Sequence, residues 1–435
     1  MPVDGDVTDQ VTAVRLDEQD PLRGFPGQFF VADSEVCYLD GNSLGRVPQQ
    51  TQTRLAQFLT DEWGTKLVDG WSEWIDESQK AGDQLARVAL GAGPGQTLVT
   101  DTTSVNLYQL IRAVVDSRPD ARTILVDSAN FPTDRYVVHG IATERGLSVT
   151  TLDVDGSGGP GAVAVESEHD LVTPEMLEPF LTDDVAVLTL QVVNYRSGAR
   201  QDVRGIAELA QSRGIPVVWD CAHAVGLVEL DFDGTGIDLA VGCTYKYLNA
   251  GPGSPAWLFV RDSWQDRLQV PIKGWFAHSD QFTMGPHFER AAGIRGFDIA
   301  SPPLLGIRAV QSSLDMVESA GMAAIEQKAQ QGTSLMVELW EQWLEPLGFS
   351  LHTPRDPTQR GGHITLRHPD AKEIAQALRT KSKVVPDYRE PSSIRLAMSP
   401  LATTYLEVWE GMRRMRDLVA SGEYRGVQAP ASRVT

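Results

Sequence analysis

Short apolar runs alternate with stretches of helical spacing through most of this chain. Thr123 to Val126, Leu147 to Leu152, Val185 to Val193, Val217 to Asp220, Leu239 to Thr244 and Trp257 to Val260 each read as a strand, with helical patterns between most of them. That alternation predicts a doubly wound, mostly parallel α/β sheet. Thr51 to Trp63 has helical spacing, and Gly91 to Gly95 breaks the chain before an extended Thr97 to Thr100. From Ser104, the positions Val105, Leu107, Leu110, Ile111, Val114 and Val115 mark the apolar face of an amphipathic helix. After Leu304 one long helical stretch to about Trp343 leads into a second unit. That unit should hold a strand at His363 to Leu366, a helix from Ala371 to Leu378 and a closing helix from Thr404 to about Leu418. Residues 1–34 are polar with scattered Pro and Gly, and predict an arm with little structure of its own. The expected organisation is an arm over 1–37, a large α/β domain over 38–304 and a smaller C-terminal α+β domain over 305–435.

Composition narrows the class. A chain of 435 residues is long enough for a large domain and a smaller one. Its formal net charge of −20 argues against nucleic acid or an anionic membrane as partner. It has no run of eighteen apolar residues, and its acidic N-terminus lacks the pattern of a signal peptide, so a soluble cytoplasmic protein is expected. Cys37, Cys221 and Cys243 make an odd count without metal-ligand spacing, which suits a reducing compartment and predicts no metal site.

Two strand ends carry the candidate chemistry. The apolar run Leu239 to Thr244 leads to Lys246, set among aromatics before the turn Gly251-Pro252-Gly253. An ammonium is costly to bury, and a lysine there makes sense if it forms a Schiff base, which removes the permanent charge. Upstream, Val217-Val218-Trp219 runs into Asp220, with His223 three residues on. In an open α/β sheet, strand ends face a common crevice. An acid and a lysine on successive strand ends fit pyridoxal 5′-phosphate (PLP), whose aldehyde takes a lysine and whose ring nitrogen takes a carboxylate. Asp101-Thr102-Thr103-Ser104 opens a helix with hydroxyls and free N–H groups, a ready phosphate site or simply an N-cap. Phe131 has the shape to stack on the ring, or to fill core. Arg395, in a short strand of the second unit, has the fork to clamp a carboxylate, or to make a surface ion pair.

The chain resembles kynureninase, a PLP enzyme of the aspartate-aminotransferase fold type (fold type I), from about Tyr38 to about Met415. The resemblance is carried by YLDGNSLG (38–45), DTTSVNL (101–107), NFPTD (130–134), WDCAHAVG (219–226), GCTYKYLNAGPGS (242–254), GWFAHSDQF (274–282), the stretch from Arg295 to Leu305 and VVPDYREPSSIRLAMSPL (384–401). It implies that Lys246 holds the cofactor aldehyde, Asp220 pairs with the pyridine nitrogen, and His223 and Asp134 lie close by. It also implies that Phe131 stacks on the ring and that Thr103, Ser104 and Tyr245 hold the phosphate. Trp275 and Ser301 would reach in from the second subunit of a homodimer. Arg395 would take the substrate α-carboxylate, with Asn42, Ser43 and Trp71 lining the substrate. The implied reaction is hydrolysis of L-kynurenine, and possibly its 3-hydroxy form, to anthranilate and L-alanine by Cβ–Cγ cleavage, a step of tryptophan catabolism. Lys246 would be the base and Tyr245 a proton carrier. The rivals are another enzyme of the same fold, such as a cysteine desulfurase that needs a mobile cysteine, and a non-catalytic paralogue binding PLP or an aryl amino acid.

Overall fold

The computed structural model describes residues 3–427. Its central sheet has eight strands, in the spatial order Thr97–Val99, Trp257–Val260, Leu239–Gly242, Val217–Asp220, Val185–Gln191, Thr123–Asp127, Ser148–Asp153 and Val163–Ala164. Neighbours are parallel except around Trp257–Val260, which runs against both of its partners. The middle strands are buried on both faces, so their sequences read as continuous apolar runs rather than alternating ones. Sequence order reverses between Thr123–Asp127 and Val185–Gln191, and at such a switch point the loops on either side part to leave a crevice.

The second unit is built on a four-stranded antiparallel sheet, in the order Ser350–Leu351, His363–Arg367, Ser393–Ala397 and Asp387–Arg389. Helices Met322–Leu339, Ala371–Lys381 and Tyr405–Ser421 cover it and share one apolar core with it. The long helical stretch expected after Leu304 is two helices, Leu304–Ala320 and Met322–Leu339, parted at Gly321, whose φ of 78° ends the first helix as only glycine does cheaply. The first of these helices packs into the core of the large sheet.

The arm expected over residues 1–34 is more ordered than its composition suggests. Residues Gln10–Gln19 form a helix, capped by Asp9, whose carboxylate accepts from the Val11 amide at 3.0 Å. The helix lacks a strong apolar face of its own, and its order comes from tertiary contacts. The Asp17 carboxylate accepts from the amides of Tyr405 and Leu406 at 2.8 and 3.0 Å, capping the closing helix. Asp20 pairs with Lys328 at 2.7 Å, both almost wholly buried.

Candidate active site

Lys246 lies four residues beyond the strand Leu239–Gly242, in a loop closed by Asn249 in left-handed backbone. The Gly45 amide donates to the Tyr245 carbonyl at 2.8 Å. A Cβ on Gly45 would stand 2.4 Å from the Lys246 carbonyl oxygen, so the loop 38–45 can lie backbone to backbone on the lysine loop only with glycine there. The lysine Nζ sits 2.9 Å from His223 Nε2. Burial, helped by the charges of Lys246 and Arg395, pushes the His223 imidazole well below its ordinary range. It is therefore neutral, and its Nε2 accepts from the lysine amine.

Asp220 ends its strand beside Gln191 and opposite Val241. Its Oδ1 accepts from the Ala222 amide at 2.8 Å. Asp134, one turn into the helix Pro132–Arg145, faces it from across the crevice. Burial, and then the charge of Asp220, raise Asp134 well above the carboxylate range. Burial also raises Asp220, but Lys246 and the hydrogen bond from Asp134 hold it back. The pair thus keeps one proton, on Asp134, and one charge, on Asp220. Asp127 lies behind them at the end of its strand, where burial and then Asp155 push it up to about 7.

The helix Thr103–Ser117 follows the strand Thr97–Val99, its N-cap being Thr102, which accepts from the Val105 amide at 3.3 Å. With capping left to Thr102, the hydroxyls of Thr103 and Ser104 are not spent on the cap, and the helix end is an anion cup. Phe131 meets the Tyr195 ring edge-on at 5.1 Å. Tyr245 lies beside Cys243, and burial pushes its phenol up, so it stays protonated. Gln191 is buried and committed to backbone: its amide donates to the Ala129 carbonyl at 3.1 Å and accepts from the Tyr195 amide at 3.0 Å.

Arg395 comes from the small sheet and is 1% exposed. Its Nε donates to Asp387, its Nη1 to the Tyr195 carbonyl and its Nη2 to Ser43 Oγ at 3.2 Å. Burial lowers its pKa, and the Asp387 carboxylate is the main influence that keeps its charge in place. Asn42, next to Ser43, is wholly buried, and neither atom of its amide has a hydrogen-bond partner in the protein. Such a group needs a ligand or water to complete it. The expected residues therefore fall into two groups. Lys246, Tyr245, Asp220, His223 and Asp134 form one cluster, and the charge of Arg395, which donates to Ser43, reaches His223 from the small sheet. Within the single chain Trp71, Trp275 and Ser301 lie apart from that cluster: Trp71 lines an apolar surface groove with Pro302 and Pro303. Phe276 joins Trp71 and Trp275, at 6.4 and 4.6 Å, and Trp275 is 44% exposed; Ser301 is exposed next to Pro302.

Three contributors are additional to the expected set. Asp387 stands directly across the antiparallel pair from Arg395, a cross-strand acid–base pair legible in PDYREPSSIR once the hairpin is drawn. Tyr195 supports Phe131 and accepts from Arg395, with no signal in the sequence beyond an aromatic in a loop. His363 is wholly buried and its ring lies 5.5 Å from that of His223. The three cysteines are all buried, and burial pushes the Cys37 thiol up to about 11, the opposite of what a mobile nucleophile requires.

The residues present fit PLP: an amine beside a buried anion, with a helix N-terminus for the phosphate. Comparisons with known proteins agree. The family model described as kynureninase C-terminal domain matches residues 325–415. The kynureninase of Pseudomonas fluorescens is 35% identical over 421 residues, covering 95% of this chain and 96% of its own length. That of Deinococcus radiodurans is 36% identical, covering 90% of this chain and 92% of its own. Among solved structures, a cysteine desulfurase from Thermococcus onnurineus superposes with a TM-score of 0.78 over 92% of this chain and 98% of its own, and one from Escherichia coli with 0.76 over the same shares. At 15% and 14% identity these two show the fold, that of PLP enzymes of fold type I, and nothing of the reaction. With near full-length identity to curated kynureninases added to that fold, the chain belongs to the kynureninase family.

Proposed function

We propose that this protein hydrolyses L-kynurenine to anthranilate and L-alanine, using PLP held between Lys246 and Asp220. The observation that carries the reading is the meeting of a lysine amine, 2.9 Å from a buried histidine, with a buried carboxyl pair in which protonation falls on Asp134 before Asp220. When bound, the cofactor supplies an electron sink for bond breaking at the amino acid's α- and β-carbons. Lys246 would hold its aldehyde, and its free amine would take the substrate α-proton at Nζ, with His223 Nε2 steadying the amine at 2.9 Å. Asp220 would keep a proton on the pyridine nitrogen, while Asp134, raised further by burial, hydrogen-bonds to Asp220 and retains its own proton. Thr103 and Ser104 take the phosphate at the helix N-terminus, with Tyr245 beside them. The phenol of Tyr245 remains protonated and is placed to pass a proton to the leaving carbon after water has added to the ketone. Phe131 packs on the ring face. Arg395 takes the α-carboxylate through Nη1 and Nη2, and Asn42 and Ser43 complete that end of the pocket.

Trp71, Trp275 and Ser301 complete the site from the partner in a cytoplasmic homodimer. The apolar groove beside Trp71 and the exposure of Trp275 support that reading. Trp71 and the small Ser301 favour unsubstituted kynurenine over its 3-hydroxy form. The test is the absorbance spectrum of the purified protein, followed by anthranilate fluorescence after adding kynurenine. The expected result is a cofactor band and product from the wild type, and neither from Lys246→Ala. A Lys246→Ala protein that keeps both would overturn the assignment.

A further inference from the structure

We infer that His363, carried on the small sheet, is a positioning residue for Lys246: its ring packs on His223 and keeps the Nε2 of that imidazole turned toward the lysine amine. This rests on Lys246 being the cofactor lysine, as proposed above. The two rings lie 5.5 Å apart and tilted by 58°, and His223 passes the contact on to Lys246 Nζ at 2.9 Å.

Three observations separate His363 from an ordinary core residue. It is wholly buried, and the Tyr195 carbonyl is near enough to draw on its ring but makes no well-formed hydrogen bond, so the imidazole is held by packing more than by polar partners. It is clamped from the large-domain side: a Cβ on Gly198 would come within 3.2 Å of the ring and 2.5 Å of the His363 carbonyl oxygen, so that turn presses glycine backbone onto the imidazole. Finally, His363 pairs with Ala397 and Thr365 with Arg395 across one antiparallel ladder. Alternate positions share a face, so the ring that touches His223 and the guanidinium of Arg395 project from the same side of one rigid sheet.

The chemistry follows from orientation. A neutral imidazole accepts through one nitrogen only, and a quarter turn of His223 about its own axis would withdraw the acceptor from Lys246. The His223 Nδ1 has no protein partner to resist that turn. The packing of His363 supplies the resistance instead. Both rings are held neutral by burial and by the cations around them, Lys246, Arg395 and Arg389, so their contact is one of shape rather than charge. Because His363 and Arg395 ride on the same sheet, the group that grips the substrate's carboxylate and the group that steadies the base move together.

The holoenzyme tests this in two readouts: the pH midpoint of the lysine–cofactor absorbance change, and kcat against KM for kynurenine. In His363→Ala the midpoint should shift by about half a pH unit or more and kcat should fall about tenfold, with KM within twofold. His363→Phe, which restores a planar ring without nitrogens, should recover the wild-type midpoint and most of kcat. Should His363→Ala fold poorly, His363→Leu fills the space without a flat ring and should behave as the alanine variant. In combination with His223→Gln, the loss from His363→Ala should largely vanish, since one residue acts through the other. An unchanged midpoint in the alanine and leucine variants, or a phenylalanine variant as impaired as alanine, overturns the inference. A wild-type protein without the absorbance change overturns the assignment of Lys246 instead.

Discussion

At the end of the large sheet Asp220 meets Asp134, from a neighbouring helix, beside a lysine, while on the small sheet an arginine, Arg395, lies opposite an aspartate, Asp387. Both regions bury charge, and they resolve the cost differently. The carboxyl pair sheds half of its charge by keeping a proton, which leaves the group beside it free to respond to chemistry. The ion pair keeps both charges and fixes them, with every guanidinium nitrogen engaged. The first arrangement suits a place where protons move, the second a place where a substrate must be held in one orientation.

The largest effect that would test this contrast comes from the fixed side. Arg395→Lys keeps the charge but loses the fork, and kcat/KM should fall by about 100-fold or more, mostly through KM. A fall confined to kcat would mean that the guanidinium acts on the chemistry rather than on binding. Next, Asp220→Asn should lower kcat by on the order of 100-fold, whereas Asp134→Asn, which mimics the protonated acid, should stay within about tenfold of wild type. Equal losses in the two variants would show that the proton is not resident on Asp134. Asp387→Asn leaves a guanidinium buried with a neutral partner and should cost about 3 kcal/mol of stability in denaturant unfolding, with the cofactor absorbance unchanged.

The smallest expected effect concerns Asp127. Its pKa is raised from the ordinary 3.8 to about 7, so the folded chain keeps a proton that the unfolded chain releases between those values. Stability from this group is therefore intact below pH 4 and lost as pH rises toward 7. Asp127→Asn cannot ionise. Its melting temperature should match the wild type near pH 4 and exceed it by a degree or two at pH 8. A gap of the same size at both pH values would trace the effect to packing.

Much of the large sheet was legible because its strands are buried on both faces and read as uninterrupted apolar runs, each stopping at a charged or turn-forming residue. Lys246 and Asp220 stand out only together: alone each reads as a surface lysine or a helix cap, and it is the pair near two successive strand ends that points to a shared ligand. Order in the N-terminal segment was hidden because it depends on partners far along the chain, Lys328, Tyr405 and Leu406, that no local window contains. Asp387 was missed for a related reason. It reads as a turn-forming acid until the register of the hairpin places it across from Arg395. His363 gives no local sign of its surroundings, since the ring it touches belongs to a strand end on the other sheet.

The ladder joining Asp387–Arg389 to Ser393–Ala397 has one further consequence, for anyone who would diversify this enzyme. The Asp387 carboxylate faces Arg395 only while the span between Arg389 and Ser393 keeps its length, because side chains alternate faces with every residue of register shift, whereas Arg395 is also held by His363–Arg367 on its other edge. A single insertion there would turn that carboxylate away and leave Arg395 buried without its counter-charge. Libraries should vary the letters of that turn and leave its length alone.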